Sequence, residues 1–249
     1  MRFTTPARML SLAALLICSL LLAAACEEEP TPTPTIEPTP TPRAEDFIAT
    51  VGQNVAAMNT AKFGMIDETE TGAKFFGTTF KSMEAQVKAP DSLIMKVEVV
   101  APLFGFVRIQ IVKVGDQAFI KLSDDAPWNP LPPDQVPFNF AGMGTVFAGL
   151  PDTIQDVAMV GREEVQGAQT IRVEGVIDSE ALLPLITTAN PGHPVTLTFW
   201  IDENELVLRQ LRLAGQIYDE DAPETTRLLT VEDINVPVDI QLPDSASGQ

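Results

Sequence analysis

From residue 62 onward, apolar and polar residues mostly alternate one for one along the chain. Over residues 93–100, Leu93, Met95, Val97 and Val99 alternate with Ile94, Lys96, Glu98 and Val100. Over residues 106–114, Val107, Ile109 and Ile111 alternate with Arg108, Gln110 and Lys113. Gly115-Asp116 predicts a turn, and residues 117–122 return from it. Residues 170–176 place Ile171 and Val173 on one face, and residues 195–201 place Val195, Leu197, Phe199 and Ile201 on one face. Residues 202–205 turn the chain into a strand over 206–213, and residues 227–231 and 238–242 read as the last strands. A period of two sends successive side chains to opposite faces of a strand. Strands joined this closely form hairpins and an antiparallel sheet.

Three segments break the alternation. In residues 44–60, Ile48, Val51, Val55 and Met58 recur at helical spacing behind acidic Glu45 and Asp46, which predicts a first helix. Residues 137–150, rich in Phe and Gly and almost uncharged, predict a second. Residues 178–189 open with Asp-Ser-Glu before Leu182, Leu183, Leu185 and Ile186, and predict a third. Pro184 is tolerable near its first turn but would kink a longer helix. The layout is helix, about five strands, helix, strands, helix, then four or five strands. It suits an α+β fold with one large antiparallel sheet and its helices on one face.

Everything before residue 44 follows other rules. Residues 1–25 read as a signal peptide: Arg2 and Arg8 precede a 14-residue apolar run over residues 9–22, short of the ~20 residues of a membrane span. Ala23, Ala24 and Ala25 then precede Cys26. Small residues before a Cys resemble the bacterial lipobox, although Ala23 stands where Leu is most usual. Cys26 is therefore the expected site of lipidation and membrane anchoring, and two or three acyl chains would hold stably. Residues 26–43 form a Pro/Thr-rich stalk, with Pro30, Pro32, Pro34, Pro38, Pro40 and Pro42 disfavouring helix throughout. Fully extended, its 18 steps would span roughly 55 Å at ~3.1 Å per residue. Residues 44–249 are expected to form a single domain.

Composition narrows the chemistry. The chain carries 16 Lys and Arg against 34 Asp and Glu, a net charge of −18 that excludes nucleic acid as a partner. One His and two Cys cannot build a zinc site of the usual kind, and no cofactor or metal is expected. No nucleotide-binding or hydrolase motif occurs. Loop residue His193, with no nucleophile nearby in any motif, is expected to be solvated and not catalytic. Trp128 is expected to anchor sheet to loop. The acidic groups Asp124-Asp125 and Asp219-Glu220-Asp221 are expected to be solvated turns, since neither matches a calcium loop.

The order of these segments resembles the LppX/LprAFG family of mycobacterial-type lipoproteins, related in fold to the LolA/LolB carriers. The resemblance rests on the lipobox at Cys26 and on VGDQAFIKLSDDAPWNPLP over residues 114–132. It continues through the apolar Gly-rich segment 142–150, MVGREEVQGAQTIRVEGVID over 159–178, FWIDENELVLRQLRLAG over 199–215 and INVPVDIQLP over 234–243. Phe119 stands where the family is expected to carry Tyr. The resemblance implies a strongly curved, half-barrel antiparallel sheet whose concave face is covered by helices around an apolar cavity. It implies no enzyme. It implies an extracytoplasmic, membrane-anchored carrier of acylated lipid or glycolipid, with an envelope transporter or acceptor protein as partner. A sensor or protein-interaction module on the same fold, without lipid transfer, is the alternative. The expected lipid-cavity lining is Met95, Val97, Phe104, Phe106, Phe138, Phe140, Met143, Phe147, Leu150, Leu182, Leu183, Ile186 and Phe199.

Overall fold

Ile48, Val51 and Val55 form the buried stripe of helix α1 (Ala44–Ala56). Its start is fixed by Asp46, which accepts hydrogen bonds from the backbone N–H and the guanidinium of Arg43 (2.9 and 3.3 Å). The helix ends before residue 60, where the sheet begins. The computed structural model describes residues 42–244, apart from Phe76 and Pro137. The predicted signal peptide, Cys26 and nearly all of the stalk therefore lie outside the described residues. The described residues form one compact unit with a core of its own.

The strands are β1 (Thr60–Asp67), β2 (Lys74–Phe75), β3 (Thr78–Lys88), β4 (Ser92–Ala101), β5 (Gly105–Val114), β6 (Gln117–Lys121) and β7 (Asn129–Leu131). Helix α2 (Phe140–Thr153) follows, then β8 (Gln155–Val165), β9 (Ala168–Asp178), β10 (Pro194–Asp202), β11 (Leu208–Ala214) and β12 (Thr226–Glu232). They make one 12-stranded antiparallel sheet in the order β7-β6-β5-β4-β3-β1-β12-β11-β10-β9-β8, with β2 paired to β3. It is two meanders joined along one seam. Met65 faces Leu229 and Phe63 faces Val231 across that seam, between β1 and β12. On one face of the sheet, alternate residues of successive strands continue each other: Leu197 opposite Leu213, Leu211 opposite Leu229, Met65 opposite Met83, Val97 opposite Ile109. This is the period-two pattern of the sequence, and both helices cover this concave face.

Two expected elements differ. Residues 178–189 are not an α-helix: a 3₁₀ turn over Ser179–Leu182 gives way to turns, and Ile186 makes a lone β-bridge to Phe138. Asp178 caps the turn by accepting from Glu180 N (2.8 Å), and Pro184 cannot supply the N–H that a continuing helix needs. Residues 238–242 are not a strand. Between Pro237 and Pro243 the segment lies outside the ladder, and its approach is pinned to the start of β1 through Asn235 N to Thr60 O and Thr60 Oγ1 to Val236 O (both 2.8 Å).

Candidate functional site

Between the helices and the concave face lies an apolar cavity. Val55 and Met58 border it from the α1 end, and Met143, Val146, Phe147 and Leu150 from α2. The 3₁₀ segment adds Leu182, Leu185 and Ile186, and the sheet adds Phe63, Met65, Met83, Leu197, Leu211, Leu213, Leu229 and Val231. Among the described residues Asn54 is the one polar residue in the wall, and its Nδ2 donates to Leu206 O (2.8 Å). The cavity holds about 970 Å³ of atom-free space including its mouth, yet only about 70 Å³ admits the centre of a water-sized molecule. At ~10–15 Å³ per water, that is room for a handful of waters. It is a narrow slot, and any chain entering it must displace side chains. Met58, Met65, Met83 and Met143 are suited to that, being unbranched and conformationally adaptable.

A second hollow is wider and more open. Ile109, Ile111, Ile120, Leu131, Val136 and Phe75 give it apolar walls, with Asp134, Gln135, Thr187 and Thr188 also bordering it, around about 500 Å³. A small space of about 20 Å³ lies between the two, sharing Met65, Phe138, Ile186 and Leu213 with the cavity and Phe75 with the hollow. Five phenylalanine rings run along this line: Phe63 to Phe140 at 5.8 Å, Phe140 to Phe138 at 6.1 Å, Phe138 to Phe75 at 6.0 Å and Phe75 to Phe80 at 6.2 Å.

Of the residues expected to line a cavity, the fold brings Phe138, Phe140, Met143, Phe147, Leu150, Leu182 and Ile186 into its wall. Met95 and Val97 are fully buried on β4 and outside the wall. β4 is the strand between the two spaces, since Met83 on one neighbour borders the cavity and Ile109 and Ile111 on the other border the hollow. Phe199 is solid core beside the lining residues Leu197 and Leu211, and Leu183 is half-buried against the core. Phe104 and Phe106, expected in the lining, lie outside the cavity wall. They are 82% and 59% exposed, at the tip of the β4–β5 hairpin. The hairpin carries them past the last covered residue of the sheet. The sequence reading missed the contribution of β1, β11 and β12, whose alternation marked a buried face but not which part of that face stays unfilled.

The remaining polar candidates are structural. His193 Nε2 lies 2.8 Å from Asp219 Oδ1 and is partly buried, not solvated. Trp128 is half-buried, with Lys121 Nζ 5.2 Å from its ring centre. Asp124 meets Arg108 and Gln110 (2.8 and 2.6 Å). Asp221 is the clearest departure: it is buried, not part of a solvated turn, and pairs with buried Arg227 (2.8 and 3.0 Å). Its carboxylate also accepts from the backbone N–H of Lys74, Ile217 and Tyr218 (2.8, 3.0 and 3.1 Å). Burial alone would raise its pKa. The Arg227 guanidinium and the backbone donors outweigh that, and hold it below the usual carboxylate range. Among the described residues no cluster of three or more His, Cys, Asp or Glu could hold a metal, and no helix is long and apolar enough to cross a membrane.

LprF from Mycobacterium bovis superposes with a TM-score of 0.63 at 15% identity, covering 82% of this chain and 99% of that one. LppX from Mycobacterium tuberculosis superposes at 0.51 and 18% identity, covering 80% and 98%. These likenesses are of fold. In sequence, the chain is 28% identical over 102 residues to the lipoarabinomannan carrier protein LprG of Mycolicibacterium smegmatis, a match spanning 41% of this chain and 39% of that protein. The family model for LppX_LprAFG lipoproteins matches residues 47–240, from within α1 to beyond the last strand, and the chain belongs to that family.

Proposed function

We propose that the protein is a membrane-anchored extracytoplasmic lipoprotein that binds acylated lipid or glycolipid in the apolar cavity and carries it within the cell envelope. The observation that carries this reading is the cavity wall, apolar among the described residues except for Asn54, whose Nδ2 is bonded to Leu206 O. The relative LprG is by name a lipoarabinomannan carrier, which points to the same ligand class. Cys26 is the anchor and residues 26–43 are the tether. The work is binding and transfer, not catalysis. Phe138, Phe140, Met143, Phe147, Leu150, Leu182 and Ile186 are the proposed lipid contacts.

The physical logic favours a carrier over a sink. Each CH₂ moved out of water gains about 0.8 kcal/mol, but a lipid leaving a bilayer exchanges one apolar surrounding for another. The hydrophobic term therefore nearly cancels between membrane and cavity. Uptake and release are then governed by how easily the slot opens. The test is to purify the protein from a host membrane fraction, extract it with organic solvent and analyse the extract by mass spectrometry. Stoichiometric diacyl lipid is expected, with an acyl-modified Cys26 peptide in the digest. A protein free of lipid, with no lipid taken up from vesicles, overturns the reading. Cys26→Ser is expected to abolish the acyl-modified peptide and to shift part of the protein to the soluble fraction, with its lipid content retained.

A further inference from the structure

Arg227 lies on the concave face of β12, opposite Leu213 of β11 and Asp67 of β1, and is 4% exposed. Its Nη2 is fully engaged, donating to both Asp221 oxygens and to Lys74 O (3.1 Å). Its Nη1 is buried and has no hydrogen-bond partner among the described residues. Buried donors are almost always bonded. Arg227 borders the small space between cavity and hollow, where its neighbours include Phe75, Phe80, Phe138, Leu213 and Ile217. That space, about 20 Å³, has room for about one oxygen-sized group. Lys74 and Tyr218 also border the space, but Lys74 is only half-buried and can turn its ammonium to water. Asp221 already neutralises the guanidinium, so Nη1 offers a donor without net charge behind it. A neutral acceptor fits.

We propose that Arg227 Nη1 is the polar anchor of the lipid site, donating to an acyl-ester carbonyl and fixing the ester end of the ligand at the junction of the two spaces. This rests on the lipid-binding reading above. The test titrates residues 42–249 with dioctanoyl-glycerophosphocholine and with its ether-linked dioctyl analogue, which lacks the carbonyls. The ester is expected to bind about tenfold tighter, the range of a hydrogen bond to a charged group. In Arg227→Lys, which keeps the charge but loses the fork, the ratio is expected to fall to about one. Equal binding of ester and ether to the unaltered protein overturns the proposal, as does a ratio that survives in Arg227→Lys. If Arg227→Lys does not fold, the ester–ether ratio of the unaltered protein decides alone. Binding of neither lipid overturns the cavity reading itself and this proposal with it.

Residues 99–107, VVAPLFGFV, carry no charge. Leu103 is 90% exposed beside Phe104 and Phe106. The loop is well defined: Ala101 pairs with Gly105, Phe104 N donates to Ala101 O (3.3 Å), and Gly105, at the start of β5, takes the left-handed conformation (φ +70°) that turns the chain back into the strand. Three large apolar side chains are thus held into solvent by backbone geometry. Arg108, the nearest cation along the strand, is tied to Glu98 and Asp124. If residues 26–43 are extended as expected, their reach of roughly 55 Å would exceed the diameter of about 45 Å expected for a unit of this size, enough to let the tip meet the bilayer.

The geometry points to this tip as a bilayer-docking wedge that enters uncharged lipid. It leads back along β5 to Ile109 and Ile111 of the open hollow. The test is flotation of residues 42–249 with neutral phosphatidylcholine vesicles. The triple variant Leu103→Ser, Phe104→Ser, Phe106→Ser is expected to bind at least tenfold more weakly, with unchanged thermal midpoint and unchanged lipid content on extraction. Trp placed by Phe104→Trp is expected to shift its emission to the blue on vesicles and to be quenched by brominated acyl chains. Anionic phosphatidylglycerol is expected to weaken binding at low salt, because the unit is acidic. An unaltered flotation profile in the triple variant overturns the proposal. So does a tip buried in a dimer that the triple variant dissolves.

Discussion

Gly142 sits where α2 crosses the chain at Pro184, and a Cβ there would overlap the Pro184 carbonyl oxygen. Gly144 and Gly149 of the same helix differ: Gly144 has ordinary contact with Ala56 (3.5 Å), and Gly149 faces open space. Gly142→Ala is expected to cost about 1–3 kcal/mol by overpacking against backbone. Gly149→Ala is expected to be neutral or to gain up to ~1 kcal/mol from helix propensity. Urea denaturation at constant m-value separates them. The sequence marks all three glycines as helix-weakening; which one a neighbour requires is a tertiary fact. Asp221 teaches the same lesson. Within an acidic run it reads as solvated, because its partner Arg227 reaches it only after the chain has turned. Its folded pKa lies below its unfolded value of about 3.9. The pairing therefore stabilises fully above that unfolded value, and the contribution is lost as pH falls through the lower folded one. Asp221→Asn, which strands a buried guanidinium, is expected to cost about 3–5 kcal/mol at neutral pH. It is also expected to flatten the acid limb of stability measured down to about pH 3. An acid limb unchanged from that of the unaltered protein would show that other carboxylates set it.

α2 is the element expected to move when the slot opens. It has no side-chain hydrogen bond at its N-cap residue Asn139, carries Pro151 in its last turn and contains three glycines. Its inner face, by contrast, is among the most apolar in the chain, with Met143, Val146, Phe147 and Leu150 buried. Packing holds the helix more than its own propensity does. β10 is the opposite case, laddered on both sides by β9 and β11 and buried along most of its length. Amide hydrogen exchange is therefore expected to be at least tenfold faster in α2 than in β10, and to slow in α2 when lipid fills the cavity. Equal protection in the two would mean that lipid enters by another route. Both elements were legible in the sequence, α2 through its Phe/Gly run and β10 through its alternation. The 3₁₀ segment beside α2 was not, since Leu182, Leu183, Leu185 and Ile186 suit a helix until Pro184 and the crossing at Gly142 are taken together. The β4–β5 tip misled for a related reason: aromatic residues next to a buried strand read as lining, and only the hairpin geometry carries them out into solvent.

At the scale of the molecule, hairpins are local and were readable strand by strand, but the β1–β12 seam joins residues near 62 to residues near 232 and leaves no mark on either segment. That seam turns two meanders into one concave wall and so creates the cavity, which is why the lining from β1, β11 and β12 escaped a reading of the sequence alone. Charge is the other whole-molecule property. Residues 44–249 hold 13 basic and 30 acidic side chains, a net −17 spread around an apolar interior. Several of the cations are already paired on the surface, as Arg212 with Glu68 and Arg162 with Glu203, so the excess is uncompensated carboxylate. Added salt has two opposed effects. It weakens exposed ion pairs, each worth about 0–1 kcal/mol, and it screens the repulsion among surplus carboxylates. The second wins when the imbalance is this large, because repulsion acts among many groups across a Debye length of ~30 Å at 0.01 M salt that shrinks to ~8 Å at 0.15 M. The buried Asp221–Arg227 pair is shielded from either change. The thermal midpoint of residues 42–249 is therefore expected to rise by a few degrees between those two salt concentrations at neutral pH. A midpoint that falls on adding salt would mean that surface ion pairs outweigh the net charge.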